Sequence, residues 1–351
     1  MSYRIPVSKP YLGTKELTYV TEALESGWIS SQGSCIPRFE EAFAQYNQMQ
    51  YGAASSSGTA ALTLALRALD IGPGDEVLVP EFTMVASAWA VTYVGGKPVF
   101  VDCGDDLNVD PNLIEEKITP RTKAIIPVHI YGRRCDMDHI MEIAHRHGLK
   151  VIEDSAEAHG IRPAGDIACY SLFANKIITA GEGGICLTND EDLAKQMKYL
   201  RAMAFDVRHT FLHEELGYNF RMTNLQGAVA LAQVEKLDDI LEKRKKIETH
   251  YSQGLASING VNLMPDREVL WMYDLLAEQR DDLITFLVKA GIETRVFFKP
   301  MSQQPMYYNK DYKNLKAHDF AQRGLYLPTY TSITPEEQDF VIEKVREFYE
   351  P

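Results

Sequence analysis

The sequence predicts an α/β protein with a large, mainly parallel (mixed) sheet domain and a smaller α+β C-terminal domain. Three observations carry this expectation. From about residue 51, short β-rich runs alternate with helical periodicity. The runs "DEVLVP", "KPVFVD", "KAIIPVHI" and "LKVIEDS" are too apolar to have a wet face, which suits strands covered by helices on both sides. From about residue 240 the alternation gives way to "VLWMYDLLAE", "DDLITFLVKAGI", "ETRVFFKP" and a final amphipathic helix, "TPEEQDFVIEKVREFYE".

In chain order, "YGAASS" reads as the first strand and "GTAALTLALRAL" as the helix after it. Strands "DEVLVP" and "KPVFVD" flank the apolar "TMVASAWAVTYV", and "DMDHIMEIAHRHG" leads into "LKVIEDS". The long periodic segment "TNLQGAVALAQVEKLDDILEKRKKIETHYSQGL" becomes increasingly charged, as a spine leaving one domain for another should. With 351 residues, 45% of them hydrophobic, the chain can build a substantial core. The expected division is residues 1–238 for the large domain and 239–351 for the small one.

The formal charge of −13 and the absence of a long Lys/Arg block argue against nucleic-acid or anionic-membrane partners, which need concentrated positive charge. Five widely separated cysteines without a CxxC spacing indicate neither a disulfide framework nor a zinc site, and no metal is expected. A reducing cytoplasm fits that pattern. The N-terminus lacks a signal-peptide core, and no segment has the roughly 18 uninterrupted apolar residues of a membrane span, so a soluble protein is expected.

Parallel sheets bind ligands at the carboxyl ends of their strands, which directs attention to the loops after "AASS", "VLVP" and "VIED". Ser57, Gly58 and Thr59 open a helix, where N–H groups and the dipole favour an anion. Asp154 ends a strand and can stabilise a protonated ring nitrogen, with Glu157 and His159 close behind it. Phe82 offers an aromatic face. Lys176, in "SLFANKIITAGEGG", has apolar neighbours that can desolvate its amine and glycines that admit a flat ligand. Singly, each has an ordinary explanation: a helix cap, a turn carboxylate, a core phenylalanine, a snorkelling surface lysine. Together, a phosphate cup, a carboxylate for a ring nitrogen and a lysine able to join a carbonyl are what pyridoxal phosphate requires.

Over nearly its whole length the sequence resembles the DegT/DnrJ/EryC1/StrS family of pyridoxal-phosphate-dependent sugar aminotransferases. The resemblance is carried by "KPYLGTKE", "GWISSQG", "SSGTAALTLALRAL", "VIEDSAEAHG", "SLFANKIITAGEGG", "GYNFRMTNLQGAVALAQ", "GIETRVFFKPM" and "GLYLPTY". It implies a fold-type I aminotransferase in which Lys176 joins the cofactor, Asp154 pairs with the pyridine nitrogen and Glu157 lies near the phenolic oxygen. Gly58, Thr59 and Ser171 would hold the phosphate, with Asn219 reaching it from a neighbouring subunit of a homodimer.

Within the family the similarity is greatest to 4-aminotransferases that act on nucleotide-linked 4-keto-6-deoxyhexoses, with L-glutamate as donor. A GDP sugar is the leading expectation, with UDP or dTDP sugars or amination at C3 as alternatives. Trp28, Ser30, His159, Arg221 and Arg295 would contact the sugar nucleotide. The family usually has Asn in place of Ser57, and the stretch from His159 to Gly165 is shorter than usual. A non-catalytic sensor would carry an added DNA-binding segment or a damaged lysine site, and the sequence shows neither.

Overall fold

A computed structural model of the chain describes residues 3–205, 211–310, 312–313 and 315–350. Two helices, α1 (Thr14–Glu25) and α2 (Cys35–Tyr46), precede strand β1 (Tyr51–Ser55) and helix α3 (Gly58–Ala68). Then come β2 (Glu76–Pro80), α4 (Ala86–Tyr93), β3 (Lys97–Val101), β4 (Thr122–Ile125), α5 (Met137–His147), β5 (Lys150–Asp154), β6 (Ile167–Ser171), β7 (Gly184–Thr188) and α6 (Glu191–Arg201). Local chemistry sets the helix limits: the Asp136 carboxylate accepts the His139 N–H at 3.2 Å, and Gly148 stops α5 in a left-handed turn at φ 65°.

The seven strands form one sheet in the order β1-β7-β6-β5-β4-β2-β3. Pairing is parallel from β3 through β2, β4 and β5 to β6, and antiparallel where β7 meets β6 and β1. The mixed, mainly parallel sheet is therefore as the sequence predicts. Every residue of β2, β6 and β7 is buried, because helices cover both faces. Each large apolar side chain removed from water there contributes roughly 1.5–3 kcal/mol. Topologically, the loops after β1, β2 and β5 lie on one edge of this sheet.

The charged spine is two helices rather than one: α7 (Asn224–Val234) and α8 (Leu237–Leu255). The joint is pinned from outside. The Glu235 carboxylate takes Lys15 at 2.9 Å and Lys236 reaches Glu16 at 2.6 Å, so α1 ties down the joint, where Lys236 leaves helical geometry at φ −121°, ψ 15°. Leu237 and Ile240 of α8 belong to the large core, and Ile247, Tyr251 and Leu255 to a second one.

That second core lies under a four-stranded antiparallel sheet, β10-β11-β9-β8, built from β8 (Val261–Leu263), β9 (Tyr273–Ala277), β10 (Arg295–Val296) and β11 (Gly324–Leu327). Helices α9 (Arg280–Lys289), α10 (Lys316–Arg323) and α11 (Pro335–Tyr349) complete the region. Ile5, from the start of the chain, bridges to Ile292 and is buried in this second core.

Candidate active site

The loops after β1, β2 and β5 converge on a cavity of about 340 Å³, within the range that holds a small ligand. Ser57, Gly58 and Thr59 line it at the start of α3. The Ser57 hydroxyl accepts the Ala60 N–H at 3.1 Å, fixing the first turn. Close approach depends on two missing side chains. A Cβ on Gly58 would stand 2.8 Å from the Ser171 Cβ, and one on Gly184 would stand 2.3 Å from the Ser57 carbonyl oxygen. The result is a backbone cradle pressed against Ser171 at a helix N-terminus, suited to a phosphate.

Asp154 enters the same cavity from the end of β5. Its Oδ2 accepts the Ser87 hydroxyl at 2.7 Å and its Oδ1 accepts the Ala156 N–H at 3.1 Å. Burial pushes the carboxyl up, while the Ser87 hydroxyl, the Ala156 N–H and the Lys176 charge draw it down. A protonated heterocycle placed beside it would add a direct counter-charge to the buried carboxylate. Lys176 is buried too, which lowers its pKa against the opposing charges of Glu157 and Asp154. Its Nζ lies 3.8 Å from the Glu157 Oε1, and the Glu157 Oε2 accepts the Tyr131 N–H at 2.9 Å.

Burial raises Glu157 from 4.5 to about 7, with the Lys176 charge opposing the shift. Between those pH values the folded chain keeps a proton that the unfolded chain releases, so stability falls as pH rises through the window. At about 1.4 kcal/mol per pH unit the loss is on the order of 3 kcal/mol. Glu157→Gln should flatten that decline in the cofactor-free protein. Chemical denaturation at a series of pH values checks it; an unchanged slope would mean that Glu157 is ionised throughout.

The structure gathers Ser57, Gly58, Thr59, Asp154, Glu157, Ser171 and Lys176 at one cavity. Two expectations are corrected. Phe82 does not line it: the ring is fully buried against Tyr131, Phe297 and Phe298, and the next two residues, Thr83 and Met84, face the cavity instead. His159 is likewise a core residue, packed against Phe43 and Tyr170 with no exposed surface. Burial, and then the Lys176 charge, push its pKa down to about 3, so it is neutral and out of reach of a substrate.

Trp28, Ser30, Asn219, Arg221 and Arg295 lie outside the cavity. The carbonyls of Trp28 and Ser30 accept from Asn224 at 2.7 and 2.6 Å, and the Arg221 Nε donates to the Asn219 Oδ1 at 3.0 Å. Arg221 and Ser31 border a second cavity of about 540 Å³. Arg295 is half exposed, pairs with Glu293 at 2.6 Å and sits across the strand pair from Tyr326. Sequence reasoning missed Ser87, the partner of Asp154, and also Trp271, Phe298 and Tyr326, which reach the cavity from the C-terminal region. The motifs "VLWMYD", "FFKPM" and "GLYLPTY" hold those three rings but give no local sign of where they point.

A buried lysine and a buried carboxylate in a cavity that also takes in a helix N-terminus have the chemistry that pyridoxal phosphate needs. The chain belongs to the DegT/DnrJ/EryC1/StrS aminotransferase family, whose profile matches residues 10–346. It is 45% identical to the GDP-perosamine synthase of Caulobacter vibrioides, an alignment covering 97% of this chain and 96% of that protein. With the GDP-perosamine synthase of Escherichia coli O157:H7 the identity is 42%, over 98% of each. The PLP-form of the putative sugar aminotransferase Spr1654 from Streptococcus pneumoniae superimposes with a TM-score of 0.93 at 30% identity, covering 99% of both chains. Pyridoxal phosphate is the cofactor of this enzyme, and its residues fit that group. Among the described residues no cluster could hold a metal ion, and no helix is long and apolar enough to cross a membrane.

Proposed function

We propose that this aminotransferase moves the amino group of L-glutamate to C4 of a nucleotide-linked 4-keto-6-deoxyhexose, converting GDP-4-keto-6-deoxy-D-mannose to GDP-perosamine. The observation that carries the reading is the 45% and 42% identity, over nearly whole chains, to relatives named as GDP-perosamine synthases. Pyridoxal phosphate supplies an aldehyde that takes up nitrogen and a protonated ring that accepts the electron pair released at carbon. Lys176 anchors the cofactor. In the first half-reaction its Nζ takes the proton from the α-carbon of glutamate, and in the second it delivers a proton to C4 of the sugar. Asp154 would keep the pyridine nitrogen protonated, and Glu157 would serve the phenolic oxygen. Gly58, Thr59, Ser171 and the Ser57 backbone would hold the phosphate.

Ser87 supports the reading by fixing the Asp154 carboxylate. Ser87→Ala removes one hydrogen bond to a buried charge, at about 1.4 kcal/mol, so kcat should fall roughly tenfold. Steady-state kinetics at saturating glutamate checks this; an unchanged kcat would detach Ser87 from the reaction. The overall assignment is tested by mixing the protein with glutamate and GDP-, UDP- or dTDP-linked 4-keto-6-deoxyhexoses and locating the new C–N bond by NMR. Amination at C4 of the GDP sugar is expected. Preference for another nucleotide, or nitrogen at C3, would overturn the substrate assignment.

The same reading makes the enzyme a homodimer with shared sites, Asn219 reaching the partner's phosphate and Trp28, Ser30 and Arg221 the partner's sugar nucleotide. Arg295 would approach the nucleotide within its own subunit. Exposed Leu17, Leu24, Trp28 and Ile29, along α1 and the loop after it, support a buried contact there. Inactive Lys176→Ala and Asn219→Ala chains, co-expressed, should then regain part of the activity, because one site in each mixed dimer is intact. No recovery would contradict sharing. We divide the chain at 238/239, where α8 begins the passage into the second core. Five buried thiols without a disulfide suit a reducing cytoplasm.

A further inference from the structure

Segment 265–274 carries Trp271 to the cavity and is clamped along its carbonyls by three buried arginines. The Arg133 Nε donates to Pro265 O at 2.9 Å, and the Arg244 Nη1 donates to Leu270 O at 3.2 Å and Trp271 O at 2.9 Å. The Arg267 Nη1 donates to Met272 O at 2.8 Å. Asp274 closes the clamp, accepting Arg133 through both oxygens at 2.9 Å and Arg267 as well. The indole N–H donates to the carbonyl of Asn175 at 2.8 Å, next to the lysine. The Trp271 ring is 2% exposed, and the Lys176 Nζ stands 4.1 Å from its centroid.

We propose that Trp271 is a positioning residue whose ring face seats the Lys176 amine whenever that amine is not bonded to the cofactor. The inference rests on Lys176 being the cofactor lysine. A ring face attracts an ammonium through its quadrupole and gives a neutral amine no comparable attraction. When Lys176 takes a proton from carbon it becomes a cation in a site with little water, and the indole stabilises that state without adding another acid. Glu157 and Asp154 are the charged groups that face the amine, and His159 behind it is neutral. The seat also keeps Nζ inside the cavity, so the lysine that leaves in one half-reaction is in place for the next. Arg244 acts through Trp271, by holding its carbonyl.

The test uses the cofactor-free protein, where the lysine amine is unbonded. The pKa of Lys176 is read from the pH dependence of trace acetylation, with peptides located by mass spectrometry and the surface lysines as internal controls. Trp271→Leu should lower it by about one pH unit, a tenfold change in the ionisation equilibrium, and Trp271→Phe should lower it by less. Global replacement of the three tryptophans by 5,7-difluorotryptophan weakens the ring face at constant shape. It should lower the pKa in the same direction, and it covers the case in which the leucine variant does not fold. An unchanged Lys176 pKa in the fluorinated protein overturns the seat. If Lys176→Ala still binds the cofactor covalently, the lysine assignment fails instead, and with it the catalytic role of the contact.

Discussion

Lys176→Ala is expected to abolish transamination, lowering turnover by roughly 10⁴-fold or more, because one substitution removes both the anchor and the proton carrier. Purified wild-type protein should be yellow and should bleach with glutamate; the variant should lack the absorbance of lysine-bound cofactor. Its fold should survive, since a buried amine is lost and no apolar packing is added. Lys176→Arg should not rescue activity, because a guanidinium stays charged and cannot attack a carbonyl. Spectroscopy and coupled detection of 2-oxoglutarate check both variants. Undiminished activity in Lys176→Ala would remove the mechanism.

Asp154→Asn should have the next largest effect, with kcat lower by roughly 10²–10³-fold, in the range for loss of one key electrostatic group. The amide can still accept from Ser87 or Ala156, so the local geometry survives while the negative charge is lost. Without that charge the pyridine nitrogen has no reason to stay protonated, and the ring becomes a poor electron acceptor. The variant should therefore still bind cofactor through Lys176 and remain coloured while turning over slowly. A variant that instead loses cofactor binding but retains kcat when saturated would show that Asp154 acts in retention only.

The sheet, and the gathering of Gly58, Asp154 and Lys176 at one cavity, were legible because their signals are local. Strands such as "EVLVP" and "KVIED" are apolar throughout, and each ends where a parallel sheet opens its loops. Gly58, Asp154 and Lys176 combine unusual chemistry with a position at those loops. The errors came from residues whose orientation is decided by packing. Phe82 follows the right strand but turns into an aromatic cluster, and His159 follows Asp154 by five residues yet is enclosed by Phe43 and Tyr170. The break between α7 and α8 depends on α1, more than 200 residues earlier in the chain. Trp271, Phe298 and Tyr326 reach the cavity because all three rings pack on Tyr131, a relation that period and composition do not encode.

The most direct measurement is borohydride reduction of the coloured holoprotein followed by digestion and peptide mass mapping. The pyridoxyl group should be found on the peptide containing Lys176 and on no other lysine. A label on a different lysine, or no covalent label in protein that nevertheless transaminates, would contradict the account.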